Sequence, residues 1–466
     1  MKSVSTFPAS RYPGTSANGA QPARLGLDLR QIPALWQTSG LKQKLLFTLV
    51  MIAVYRLGIL IPVWGVNADA ITHLVSNQLL GFLDMFSGGA LTSVSVLALG
   101  IGPYITASIM LQLLTVVIPR LEEMQKEEGE AGRRKIGQYT RYFTVVLALL
   151  QATLVMRFIA SVPGAIDPST PAWLFYPAAV LSLMAGSLFT LWLAELITDR
   201  GVGNGASLLI FVGILSRIPS LSAQTATFVG SDPQKSFGLV ALMLIYLLTI
   251  GLIIILQEAT RNIPIVSAKR QVGRRVMGGQ STFIPFKINP AGVMPIIFTF
   301  AVMAFPSTLL GLLQQSQAQP GQMAPWLQTV VGFYGRYLSP GTWAYGAIEF
   351  ALIIFFTFFY SSIIPSMQPR EIAESLKKYG SAIPGIKPGR PTAEKLEQIL
   401  SRTTMIGAAA LAGITLLATS ATSLTGITTL QGLGSTSLII LVGVALDTVN
   451  QIRVHLLARQ YEGFLK

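Results

Sequence analysis

GFLDMFSGGALTSVSVLALGIGPYITASIMLQLLTVVIP, residues 81–119, has the length and apolarity of a membrane crossing but not the texture of a plain one. Gly88, Gly89, Gly100, Gly102 and Pro103 interrupt it, and Thr92, Ser93, Ser95, Thr106 and Ser108 are scattered through it. Unpaired backbone amides are so unfavourable in hydrocarbon that irregular backbone survives at membrane depth only under cover of protein or beside a water-filled cavity. The stretch therefore reads as a short N-terminal piece, a break near Gly100 to Pro103 and a helix from about Tyr104 to Val117. A cavity or channel is the physical implication.

The rest of the chain agrees with a membrane setting. Its 466 residues are 51% hydrophobic and only 12% charged, with mean hydropathy +0.58, which describes a polytopic membrane protein. Cysteine is absent, which excludes disulfides, thiolate metal sites and cysteine nucleophiles. His73 and His455 have no carboxylate or second histidine at ligand spacing, so no metal and no cofactor is expected. Without a His-Glu-x-x-His pair or a phosphate-binding glycine loop, no enzyme is expected either.

Ten apolar runs are long enough to span. They are Leu45–Pro62, Leu80–Ile118, Tyr139–Ser161, Ala172–Thr198, Asn204–Ile218, Phe237–Leu256, Ala291–Leu313, Thr342–Ile364, Thr403–Thr419 and Ser435–Leu456. The fifth is short and opens on Gly201, Gly203 and Gly205. If the N-terminus is cytosolic, 29 of the 34 Lys and Arg residues fall on that side; Arg157, Arg217, Lys235 and Arg336 fall opposite, and Arg56 lies inside the first run. The positive-inside bias thus puts both termini in the cytosol.

Ten crossings divide into two halves of five, here 41–220 and 221–466, and an odd number per half starts the second from the opposite face, as in inverted repeats. The second and seventh crossings then correspond, and each carries a Gly-x-x-Pro break, Gly100 to Pro103 and Gly292 to Pro295. Two long cytosolic loops remain, 257–290 and 368–402. The first reads as a structured hairpin with a basic face; the second reads as an amphipathic helix, PREIAESLKKYG, followed by a tight IPGIKPGRP tip. Residues 1–40, with Ser, Pro, Gly and Ala prominent and no acid before Asp28, read as a flexible cytosolic tail, with a transit peptide as the alternative.

Several blocks, in order, carry a resemblance: GFLDMFSGGAL at 81–91, ALGIGPYITASIMLQLL at 98–114, GRRKIGQYTRY at 132–142, LITDRGVGNGASLLIF at 196–211 and AKRQVGRRV at 268–276. FKINPAGVMPIIF at 286–298, AESLKKYGSAIPGIKPGRPTAEKLEQILSRTT at 373–404 and GSTSLIILVGVALDTVNQI at 434–452 continue it. The chain from about Leu41 onward resembles the SecY family of protein-conducting channels. That resemblance implies an all-α protein of ten transmembrane helices in two inverted halves, acting as a gated passive channel for unfolded preproteins that also releases hydrophobic segments sideways into lipid.

It also implies residue roles. The channel waist would be a ring of Ile101, Ile105, Ala206, Ile210, Ile297 and Ile440, although apolar pairs four apart share a face on any membrane helix and spacing alone assigns no pore. Ala206 is smaller than the family's usual residue there. A plug would run from Asp84 to Val96 and include Phe86, Gly88 and Gly89. The second and seventh helices would form a lateral gate whose weak points are Gly100, Pro103, Gly292 and Pro295. Arg274, Arg275 and Lys387 would dock a SecA-like motor ATPase or the ribosome; the family commonly has Arg at the last position, and Lys loses its planar fork. SecE-like and SecG-like small membrane subunits, signal sequences and membrane lipid complete the implied partners, in a bacterial plasma membrane or a thylakoid membrane. Among the residues alone a secondary transporter stays open, since it shares inverted repeats and broken helices; its ionisable candidates would be Arg56, Glu195, Glu349 and Asp447.

Overall fold

The computed structural model describes residues 39–67, 84, 87–126, 129–167, 170–230, 234–267, 270–272, 275–277, 281–303, 329, 332–333, 336–337, 342–363, 368–427 and 435–464. The tail 1–38, Phe86, Arg274 and residues 304–313 of the seventh apolar run lie outside these. The chain divides into two units, Met1–Gln43, described only where its first helix begins, and Lys44–Lys466, which holds everything that follows.

Helices dominate, and each of the ten apolar runs contains one. They are α1 (Ser39–Ile59), α2 (Gly102–Val117), α4 (Gly129–Ala160), α5 (Ala172–Arg200), α6 (Gly205–Gly230), α7 (Gln234–Glu258), α8 (Met294–Met303), α9 (Trp343–Ile363), α11 (Arg390–Thr425) and α12 (Ser435–Phe464). Two shorter helices are α3 (Pro119–Lys126) and α10 (Pro369–Lys378). Among the described residues seven helices, α4, α5, α6, α7, α9, α11 and α12, are long and apolar enough to cross a membrane. Their hydroxyls are satisfied within the helix: Thr144, Thr190, Thr357 and Thr415 each donate to the carbonyl four residues back, the economical solution where water is absent.

Where α2 ends, the chain turns sharply. Ile118 is extended because proline follows it, and α3 leaves at 104° to α2. The sequence of α3, PRLEEMQK, is too polar for hydrocarbon, so the bend separates an apolar helix from an aqueous one.

Three expectations change. The short fifth run is part of the 26-residue α6, which carries on past Ser220 to Gly230 through an internal Pro219, so position 220, where the first half was expected to end, lies within a helix. The second cytosolic loop ends early, because residues 390–402 are the opening turns of the 36-residue α11. At about 1.5 Å per residue that helix is roughly 54 Å long, well beyond a hydrocarbon core of about 30 Å, so its charged first turns stand clear of the apolar part. The description all-α also needs amending, since the described residues include five short strands.

These strands join the two loops. β1 (Thr260–Ser267) pairs antiparallel with β4 (Ser281–Lys287), with Ile263 opposite Ile284, and on its other edge with β5 (Ser381–Ala382), which comes from the second loop. β2 (Arg270–Val272) and β3 (Arg275–Met277) form the hairpin between them. Ile263 and Phe286 are buried against Ala373, Ile383, Leu396 and Leu400, so sheet, α10 and the start of α11 share one small core. α10 is suited to its place: Pro369 opens it, Glu371 is in its first turn, Lys377 and Lys378 in its last, and Ala373 and Leu376 face inward.

Candidate functional site

The six predicted waist residues lie at four places in the chain and all belong to, or pack against, one extended hydrophobic core that draws on many helices. Ile101, Ile210, Ile297 and Ile440 are buried in one hydrophobic cluster, and Ile105 and Ala206 pack against it. Ile101 immediately precedes α2 and its carbonyl accepts from Ile105 N at 3.1 Å. Ala206 and Ile210 lie one turn apart at the start of α6, Ile297 in the first turns of α8, and Ile440 near the start of α12. All four contributions thus lie at or near a helix beginning.

Two of those beginnings are the predicted breaks. Gly100 has φ 52° and Gly292 φ 62°, the left-handed region that glycine enters without steric penalty. In each case proline follows three positions later as the second residue of the helix, Pro103 in α2 and Pro295 in α8. Proline there disrupts nothing, because the first turn's N–H groups have no partner within the helix anyway. The Gly-x-x-Pro units are therefore helix starts preceded by a reversal, not kinks within a helix. Each irregular carbonyl is satisfied: Ser187 Oγ on α5 donates to Gly100 O at 3.1 Å, and Asn289 Nδ2 donates to Gly292 O at 2.8 Å.

Residues 87–101 are a succession of turns stitched to their surroundings. Val63 N donates to Val94 O and Val96 N to Ile61 O, both at 2.9 Å; Ser95 Oγ donates to Gly58 O at 3.2 Å. Asp84 is wholly buried and accepts from Thr92 N at 2.7 Å and from the Thr92 hydroxyl at 3.0 Å. It is also ion-paired with Arg217 of α6. Arg56 of α1 donates to Gly88 O at 3.1 Å. Asp84, Gly88 and Gly89 are thus brought into one compact knot beside the waist cluster, held by two cations whose roles the sequence did not disclose. The signal was present: three charged residues within or beside apolar runs, with no neighbour in sequence to pair them.

The two helices expected to part do touch. Ile109 of α2 and Phe298 of α8 share a buried cluster with Phe356 of α9, joined by Ile105 and Met294; Phe298 meets Phe356 edge-on at 5.8 Å between ring centroids. Apolar contacts of this kind have little directional preference, so parting them leaves no unsatisfied polar group. Gly100, Pro103, Gly292 and Pro295 flank this contact. In the hairpin between β1 and β4, Arg275 lies in β3, while Arg274 lies outside the described residues. Lys387 is exposed at the tip between β5 and α11, where its carbonyl accepts from Thr392 Oγ1 at 2.8 Å. Of the transporter candidates, Glu195 is paired with Arg141 at 2.7 Å, Arg56 is engaged by the knot, and no cluster of three potential metal ligands occurs among the described residues.

The described residues thus place the predicted waist positions in one extended apolar core, with the turn-rich segment 87–101 and an apolar cluster shared by α2, α8 and α9; the comparisons with known proteins define the class as a protein-conducting channel. The SecY family model matches residues 95–449. The chain is 43% identical over 433 residues to "Protein translocase subunit SecY" of Synechocystis sp., covering 92% of this chain and 95% of that protein. Its fold is similar to that of a SecY structure described in terms of a plug domain that stabilises the closed state of the translocation channel, with TM-score 0.61 and 16% identity over 88% of this chain and 92% of that one. It is also similar to that of Sec61 in a canine ribosome–channel complex from the endoplasmic reticulum, with TM-score 0.58 and 14% identity over the same shares. The chain belongs to the SecY family, a family of channel subunits rather than enzymes.

Proposed function

We infer that this multi-pass membrane protein is the protein-conducting channel subunit of a Sec translocon, a passive conduit opened by its substrate and driven by partners. The single observation that carries this reading is the match of residues 95–449 to the SecY family model; Ile101, Ile105, Ala206, Ile210, Ile297 and Ile440, which would form an aliphatic collar, all lie in or against one extended hydrophobic core. Such a collar excludes water and ions by dewetting while binding no passing side chain strongly. A secondary transporter would need an ionisable site at that point, and the waist residues are aliphatic.

In this proposal α1, α2, α4 to α9, α11 and α12 are ten crossings in two inverted halves. Residues 84–96 are the plug, α2 and α8 the lateral gate, and both termini are cytosolic in a bacterial plasma membrane or a thylakoid membrane. A signal sequence needs no lock at such a gate, since each central Leu, Ile, Phe or Val gains about 0.3–0.6 kcal/mol on partitioning and a run of them sums to several. SecE-like and SecG-like subunits would brace the halves. The exposed sheet and tip, with Arg274, Arg275 and Lys387, would receive a ribosome or a SecA-like motor.

The waist is tested by conductance. Replacing two of the five isoleucines with Gly should raise resting ion leak through purified channels in planar bilayers by at least about tenfold, since dewetting depends on summed bulk; a double variant as tight as wild type would falsify the collar. Docking is tested by Arg274→Glu with Arg275→Glu, expected to weaken ribosome or motor binding most at low salt. Affinity unchanged at low and physiological salt alike removes these residues from the interface, and a cysteine placed at Lys387 that labels only from outside the cell overturns the orientation with it.

A further inference from the structure

We propose that Asp84, Arg217 and Arg56 form an electrostatic latch that holds the plug on the first-half helices α1 and α6, and that this latch sets the barrier to opening toward the far side of the membrane independently of the lateral gate. The proposal rests on the reading of residues 84–96 as a plug.

Three observations carry it. The Asp84 side chain has no exposed surface and Arg217 keeps 26%, so their ion pair is screened little by solvent. The same carboxylate collects the backbone N–H and hydroxyl of Thr92, which closes the knot on itself, and Arg217 Nη2 reaches the Thr92 hydroxyl at 3.4 Å. Arg56 donates to Gly88 O at 3.1 Å, while Tyr55 OH donates to Ser87 O at 3.4 Å. Two helices therefore hold one short segment through charged or hydroxyl donors, and withdrawing it strands a buried carboxylate and two cations together.

The placement decides what the latch controls. Arg217 lies seven residues after Ile210 on α6, about 10 Å along the helix at 1.5 Å per residue, so one element carries both the waist and the latch. The gate contact, by contrast, runs between α2 and α8 through Ile109 and Phe298, and neither helix supplies a latch cation. Parting the gate leaves the latch intact, whereas passage of a hydrophilic chain through the waist must break it. Segments that leave sideways into lipid are then selected by hydrophobicity alone, and segments that cross are additionally selected by the latch.

The test uses the full chain with its partner subunits, reconstituted and recorded in planar bilayers, with insertion of a graded-hydrophobicity membrane segment measured in parallel. Asp84→Asn and Arg217→Gln should each raise resting conductance roughly tenfold or more, the effect of stripping one member from a mostly buried pair, and should permit export of a preprotein with a weakened signal sequence. Arg217→Lys, which keeps the charge, should stay near wild type, and the Asp84→Asn/Arg217→Gln double variant should leak no more than the leakier single one. The insertion threshold of the graded segment should not move. Additive leaks in the double variant, or an insertion threshold that shifts along with the leak, overturn the latch. Deletion of residues 88–93 separates the two readings: a leaky deletion beside a tight Asp84→Asn overturns the latch alone, and a tight deletion overturns the plug as well.

Discussion

The starts of α2 and α8 are built alike to a degree that their sequences do not advertise. Gly100 and Gly292 both turn the chain with positive φ, and both are followed at the same spacing by a proline in the first turn. Four residues before each, the backbone passes against a glycine of a partner helix. A methyl group on Gly186 of α5 would overlap the Val96 carbonyl, and one on Gly407 of α11 would overlap the Ile288 carbonyl. α5 and α11 are the fourth crossings of the two proposed halves, so a repeat visible in the chain only as two Gly-x-x-Pro units extends to a helix-on-backbone contact. The differences are as informative. Gly100 O is satisfied from the partner helix by Ser187, Gly292 O from its own approach by Asn289. The approach to α2 is the turn-rich segment 87–99, and the approach to α8 is β4 of the three-stranded sheet. One device is used twice, and only one copy is preceded by a run of turns.

That comparison can be broken. Gly186→Val and Gly407→Val should be the most damaging changes, because the atom displaced is a backbone oxygen that cannot rotate away. Each should lower accumulation of the protein in the membrane by roughly tenfold, the range of a severely destabilising substitution. Quantitative immunoblotting of membrane fractions checks it, and a normal level for one but not the other would end the equivalence of the two breaks.

Removing the donors should be milder. Ser187→Ala orphans a buried carbonyl, an effect of about 1–3 kcal/mol, and Asn289→Ala a part-buried one, a smaller effect; both are read as a lower melting temperature of the purified protein. Because Ser187 joins two elements and Asn289 serves its own, Ser187→Ala should also loosen α5 from the α2 start and raise resting conductance, while Asn289→Ala should not. Equal leak from both would erase the difference drawn between the halves.

The smallest effect is predicted at Ala206, the one waist residue without a long side chain. Ala206→Ile should reduce residual ion leak by a few-fold at most, as added bulk narrows an already dry constriction. An unchanged leak together with reduced stability would mean that the position faces packing rather than the pore.

What could be read from the chain followed from physics that acts locally. A run of apolar residues declares a helix in lipid whatever it packs against, and glycine and proline declare where a helix starts. The ten runs, the amphipathic α10, the two breaks and the aliphatic character of the waist were legible for that reason. Boundaries failed where local composition and structure diverge: Ser220, Ser222 and Gln224 look like loop, yet they prolong α6 to Gly230, and Arg390 to Arg402 look like loop, yet they open α11.

Partnership is what the chain could not declare. Asp84 and Arg217 are 133 positions apart, and β1 and β5 are more than 110 apart; nothing near either member indicates the other. Burial strongly favours such pairing, since a carboxylate without exposed surface must find a partner or give up its charge and an unpaired sheet edge is a liability, but which cation and which strand is settled only when distant elements are packed side by side. The sequence by itself determined a membrane protein with broken helices, because transfer out of water is a property of each segment alone. The tertiary structure decided which charges hold the turn-rich segment 87–101, which glycines admit the backbone and how two loops become one sheet, because those energies exist only between segments.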